Sequence, residues 1–100
     1  MFSLKSLFGP RVNYAELIKE GALIIDVRSK GEFSKGHVKG SVNIPLESIQ
    51  SSVDKIKKKN KVVITCCASG MRSGSAKSML KQHGIETYNG GGWRSLNRHV

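Results

Sequence analysis

The chain has 100 residues, with 17 Lys+Arg against 7 Asp+Glu, three His, two Cys and 38% hydrophobic residues. That length makes one domain, and the apolar residues fall in short clustered runs, which argues against disorder. No run approaches the ~20 apolar residues that cross a bilayer, and two adjacent cysteines with no clustered histidines build neither a secreted disulfide framework nor a zinc site, so the expectation is a cytoplasmic protein with no metal and no cofactor.

Residues 1–11 read as an N-terminal tail and 12–100 as the domain. The tail has apolar residues at Phe2, Leu4, Leu7 and Phe8, but Lys5 and Ser6 interrupt them, so the stretch lacks the continuous apolar core of a signal peptide. Asn13 is placed to cap a helix carrying Tyr14, Leu17 and Ile18 on one face, and Gly21 ends it. Ala22-Leu23-Ile24-Ile25-Asp26-Val27 is apolar almost throughout, the pattern of a strand buried on both faces. Glu32-Phe33 predicts a short helical turn, and Ser41–Ile44 a short strand stopped by Pro45.

Leu46, Ile49, Val53 and Ile56 mark one face of an amphipathic helix. Lys61–Cys66 is the next buried strand, rich in β-branched residues. A polar, glycine-containing loop follows at Ala68–Met71. Ala76, Met79 and Leu80 predict another helix face, closed by Gly84, and Ile85–Tyr88 a last strand. Gly90-Gly91-Gly92 then predicts a flexible turn before Trp93. Phe33 and Tyr88 are expected in the core. Alternating apolar strands and amphipathic helices predict an α/β domain with a mostly parallel sheet, right-handed crossovers and a ligand site at the carboxyl ends of the strands.

The charge is uneven. Residues 1–50 carry seven Lys+Arg against five Asp+Glu, and residues 51–100 carry ten against two. The true run, Lys57-Lys58-Lys59 with Lys61, sits at a predicted helix end, where the dipole favours cations without any ligand. No aromatic residue interleaves with it, so stacking on nucleic acid is unsupported and no nucleic-acid partner is expected. The basic excess is read as a solvated surface around a site for a small anion.

Cys67-Ala68-Ser69-Gly70-Met71-Arg72 is the segment with chemistry in it. It leaves a buried strand and enters a helix, so unpaired N–H groups and the positive end of the helix dipole face the cysteine. Both, with the charge of Arg72, lower a thiol pKa. Gly70 permits a left-handed turn, and successive amides can then form an anion nest around sulfur. Ser69 and Ser73 can supply hydroxyl donors. Such a cysteine is suited to nucleophilic attack on an anionic substrate.

Cys67 and Arg72 form C-x-x-x-x-R, followed by Ser73. Upstream stand Asp26-Val27-Arg28-Ser29, Glu32-Phe33 and Gly36-His37-Val38-x-Gly40-Ser41-Val42-Asn43-Ile44-Pro45, and downstream Gly91-Gly92-Trp93. Over roughly residues 12–97 this ordered set resembles the single-domain rhodanese family, the thiosulfate sulfurtransferases. The resemblance implies a three-layer α/β domain with a central, mostly parallel five-stranded sheet flanked by helices. It also implies a ping-pong transfer in which Cys67 takes the outer sulfur of thiosulfate as a persulfide and passes it to a thiol or protein acceptor. The amides of Ala68, Ser69, Gly70, Met71 and Arg72 would hold the persulfide. Related cell-cycle phosphatases of this fold carry one more residue between Cys and Arg, a loop that fits a tetrahedral phosphate, so phosphatase or arsenate reductase activity is a minor alternative. The principal alternative is a persulfide relay between partner proteins.

Among the remaining candidates, Cys66 is expected to point away from Cys67 and to serve as core. Asp26 is read as a structural charge and Arg28 as a candidate to line the site. The ring of His37 is expected to bond a neighbouring loop, because attack by an existing thiolate needs no separate base. Trp93 is expected as a lid or plug near the mouth.

Overall fold

The computed structural model describes residues 12–100; the predicted tail at residues 1–11 lies outside the described residues. Among them are four strands, β1 (Leu23–Asp26), β2 (Val42–Asn43), β3 (Val63–Cys67) and β4 (Thr87–Gly92), and five helices, α1 (Tyr14–Lys19), α2 (Lys30–Ser34), α3 (Leu46–Lys58), α4 (Met71–Gln82) and α5 (Trp93–Asn97). The strands form one sheet in the order β2-β1-β3-β4, and every pairing is parallel. The fifth strand implied by the family resemblance is not among the described residues. The chain supplies four apolar runs of strand character there, and each forms a strand.

Helices cover both faces, because the two central strands are apolar on both. On one face Ile25, Val27 and Val63 meet Ile49, Val53 and Ile56 of α3 and Ala76 and Leu80 of α4. On the other, Ile24 and Ile64 pack with Leu96 of α5 and Val38, with Tyr14, Leu17 and Ile18 of α1 alongside. Each fully buried aliphatic side chain contributes about 1.5–3 kcal/mol, so a stripe of three on α3 outweighs any propensity term in fixing that helix.

The helix starts follow local rules. The Asn13 side chain accepts the Glu16 N–H at 3.0 Å. Ser29 and Glu32 form a capping box at α2, extending the predicted turn into five helical residues. The lysines at the end of α3 are exposed in its last turn, beside the free carbonyls.

The largest departure from the sequence reading is β4. The predicted flexible turn at Gly90–Gly92 is the second half of the strand. A Cβ at Gly90 would come within 2.9 Å of Ile64 Cγ2 and 3.0 Å of the Thr65 carbonyl oxygen, so the absent side chain lets β4 lie against β3. The register shifts between Thr65 and Cys67, and Gly91 takes the left-handed conformation there, at φ +78°. Phe33 and Tyr88, expected in the core, are only half-buried. Phe33 stacks on His37 with centroids 3.7 Å apart, and the Tyr88 hydroxyl reaches outward to donate to Glu86 at 2.7 Å.

Candidate active site

β3 ends on Cys67 at the carboxyl edge of the sheet, and α4 begins at Met71. Three residues bridge them, the last being Gly70 at φ +105°. Side chains alternate along the strand, so Cys66 enters the α1/α5 face of the core and Cys67 the α3/α4 face.

Cys67, 1% exposed as a residue, lies on the floor of the loop, while Ala68, Ser69 and Met71 form its exposed rim. Gly70 N–H donates to Sγ at 3.0 Å and Ser73 N–H at 3.4 Å, and Ser73 Oγ lies 3.3 Å from Sγ. Burial pushes the Cys67 thiol up. Hydrogen bonds that the thiolate can accept from the Ser73 hydroxyl and from the amides of Ser73, Gly70 and Ser69 outweigh it, so the net displacement is downward. Burial pushes the Cys66 thiol up to about 12, with the nearby Asp26 charge adding to it. The two neighbouring thiols are therefore driven in opposite directions by which face of the strand they occupy.

Arg72 does not turn into the loop. Its guanidinium forms a two-point ion pair with Glu32 of α2, Nη1 to Oε1 at 2.8 Å and Nη2 to Oε2 at 3.0 Å. Glu32 also accepts the Ser29 N–H at 3.0 Å. These bonds, Arg72 first, pull its carboxyl down to about 2. The amides of Gly70 and Ser73 are thus the direct donors to sulfur, and Arg72 ties the start of α4 to the capping box of α2.

Arg28 and Asp26 form a buried unit. Arg28 Nε lies 3.0 Å from both Asp26 oxygens, and Nη2 lies 2.8 Å from Oδ2. Nη2 also donates to the Gly36 carbonyl at 2.6 Å. Arg28 is 5% exposed and commits Nε and Nη2 to Asp26 and the Gly36 carbonyl. Trp93 closes this unit from outside. The Arg28 and Arg94 guanidinium carbons each lie 4.9 Å from its ring centroid, and a Cβ at Gly36 would meet Trp93 Cη2 at 3.0 Å. Trp93 is therefore a plug over the Arg28 pair. His37 is exposed, with Nδ1 2.8 Å from the Phe33 carbonyl.

Three residues outside the predicted site residues join the site, two of which, Glu32 and Asn43, stand in the motifs quoted above. Glu32 is the partner of Arg72. Asn43 Nδ2 donates to the Asp26 and Arg28 carbonyls at 3.0 and 2.9 Å, stitching β2 to the end of β1. Asn89 on β4 bonds both Gly70 and Ser73. The one available signal for Asn89 was its position just before the glycine run, on a strand whose carboxyl end meets that of β3.

Residues 12–98 match the model of the rhodanese-like domain family, and the chain belongs to that family. The tRNA sulfurtransferase of Thermoplasma acidophilum is 34% identical over 71 residues, which are 71% of this chain and 14% of that protein. The thiosulfate sulfurtransferase PspE of Escherichia coli is 34% identical over 74 residues, 72% of this chain and 71% of PspE. The crystal structure of a rhodanese-related protein from Thermoplasma volcanium superposes with a TM-score of 0.72 at 30% identity, covering 87% of this chain and 89% of that one. This chain is thus a small part of the first relative's length and most of the second's. Among the described residues no helix is long and apolar enough to cross a membrane.

Proposed function

We propose that this chain is a sulfurtransferase that carries a sulfane sulfur as a persulfide on Cys67. The observation that carries the reading is the sulfur at the end of β3 facing the Gly70 and Ser73 amides at 3.0 and 3.4 Å. Fixed N–H dipoles stabilise a thiolate without reorganising as charge develops. The Cys67 thiolate attacks the outer sulfur of a small anionic donor such as thiosulfate. The donor's S–S bond breaks, its electron pair leaves with sulfite, and a Cys67 Sγ–S bond forms, with the negative charge on the outer sulfur. An acceptor thiolate then attacks that outer sulfur. The Sγ–S bond breaks, and the Cys67 thiolate is the leaving group, stabilised again by the same donors. Ala68, Ser69 and Met71 form the mouth through which donor and acceptor approach.

A protein acceptor, and with it the relay reading, is favoured by Met71, which is 82% exposed on the loop rim. A flexible, polarisable methionine beside the sulfur is the kind of side chain found on surfaces that accept varied protein partners. The test is intact mass spectrometry after thiosulfate treatment, with peptide mapping. The expected result is one added sulfur on Cys67, removed by cyanide or a thiol. A chain that gains no sulfur, or gains it elsewhere, overturns the reading. A loaded chain with a very high KM for thiosulfate and efficient transfer from a protein persulfide selects the relay.

A further inference from the structure

Asn89 reaches from β4 beneath the Cys67 loop, and two backbone groups fix the orientation of its amide. Gly91 N–H can only donate, and it meets Oδ1 at 2.9 Å. The Gly70 carbonyl can only accept, and it meets Nδ2 at 3.0 Å. The assignment of oxygen and nitrogen is therefore forced. An amide oxygen only accepts, so the Ser73 hydroxyl, 2.6 Å from Oδ1, donates to it. Ser73 has a single hydroxyl proton. Its Oγ, 3.3 Å from Cys67 Sγ, consequently faces the sulfur as an acceptor, and the neutral thiol supplies the proton of that contact. The chain of donors runs from S–H to Oγ–H to Oδ1.

A thiolate has no proton to give. For Ser73 to donate to it, the hydroxyl must rotate off Asn89, leaving Oδ1 with Gly91 N–H alone. We propose that Asn89 is a positioning residue that acts through Ser73, holding the hydroxyl away from Cys67 while the sulfur is uncharged and releasing it when the sulfur becomes a thiolate. Asn89 thereby opposes ionisation of Cys67. The proposal rests on reading Cys67 as the sulfur carrier. In that cycle the charge on Sγ is full in the free thiolate and moves to the outer sulfur in the persulfide. The hydroxyl turns to Asn89 when Cys67 is loaded and to Sγ when the acceptor drives it off. No heavy-atom bond changes in this switch, only the partner of one hydroxyl proton.

The packing is built around this amide. A Cβ at Gly74 would lie 3.3 Å from Asn89 Nδ2, and a Cβ at Gly70 would lie 3.3 Å from Gly91 Cα. The Asn89 backbone is held from the opposite side, where the Tyr14 hydroxyl donates to its carbonyl at 2.7 Å.

Alkylation of Cys67 by iodoacetamide across pH, read by peptide mass mapping, reports its ionisation in the wild type, Asn89→Ala, Ser73→Ala and the double variant. Asn89→Ala is expected to raise the thiolate fraction below the thiol pKa by roughly three- to tenfold, the worth of one neutral hydrogen bond. Ser73→Ala is expected to lower it, and adding Asn89→Ala to Ser73→Ala is expected to change nothing further. A lowered or unchanged thiolate fraction in Asn89→Ala, or a rise that persists without Ser73, overturns the proposal, because loop support alone would give those results. A second readout needs no change at position 89. The nitrogen-15 signals of the Asn89 side-chain amide should titrate with Cys67 in the wild type and not in Ser73→Ala. Signals that stay flat in the wild type, or titrate alike in both, also overturn it. Neither readout requires sulfur transfer, so a failure to load sulfur would count against the proposed function alone.

Discussion

Arg72 and Glu32, forty residues apart, meet in a two-point ion pair at 2.8 and 3.0 Å that joins the first turn of α4 to α2. Because Glu32 also closes the capping box on Ser29, one carboxylate fixes the start of two helices beside the Cys67 loop. The carboxyl is held down at about 2, against an ordinary glutamate near ~4.3. Its contribution to the native state is thus complete above the ordinary value and fades as pH falls through about 2. A carbon-13 titration of the Glu32 carboxyl should give a midpoint near 2. In Arg72→Lys, which keeps the charge and loses the fork, the midpoint should move upward. A wild-type midpoint at the ordinary value would dissolve the pair. Thermal stability should change little in Arg72→Lys, since exposed ion pairs contribute little.

The two thiols should behave oppositely. Cys67→Ser should abolish sulfur transfer, and Cys66→Ala should keep most of it. At neutral pH iodoacetamide should modify Cys67 and spare Cys66, whose buried thiol is pushed up to about 12. The Cys66 thiol is neutral in the native chain, so its contribution is intact below the free value of ~8.5 and is lost as pH rises toward about 12. Denaturant titrations should therefore show a loss of stability above that free value that is smaller in Cys66→Ala. Transfer surviving in Cys67→Ser would remove Cys67 from the mechanism.

The Asp26–Arg28 pair should matter for folding more than for chemistry. Asp26 is 0% and Arg28 5% exposed, so Arg28→Ala leaves a buried carboxylate uncompensated, at a cost of about 3–5 kcal/mol. For a domain of this size that corresponds to a fall in Tm of more than ~10 °C. An unchanged Tm would mean that the carboxylate finds water or another partner.

Gly90 should not tolerate a methyl group. Its Cβ would press on Ile64, Leu96 and the Thr65 carbonyl at 2.9, 3.0 and 3.0 Å, and overpacking of this kind costs about 1–3 kcal/mol. Gly31→Ala in α2, where the nearest atom is Ser29 Oγ at 4.0 Å, is the control and should be neutral or slightly stabilising. Equal Tm values for the two variants would contradict the close approach of β4 to β3.

Four strands, three of the helices and the fold class could be read along the chain because each depends on local spacing. Ile24-Ile25 and Val63-Ile64 announce burial on both faces, and Ile49, Val53 and Ile56 return once per helical turn. The loop was legible for the same reason, since Cys67, Gly70 and Ser73 act within a single strand-to-helix turn. The partners of the polar groups were not. Nothing near Arg72 in sequence announces Glu32, nothing near Ser73 announces Asn89, and the Gly90–Gly92 run has the composition of a turn until Ile64 and Leu96 are packed against it. Apolar periodicity is written into consecutive residues because one element at a time must hide its face from water. A hydrogen-bond partner is selected by which strand ends converge at the carboxyl edge of the sheet, and that convergence exists only once β1, β3 and β4 lie side by side.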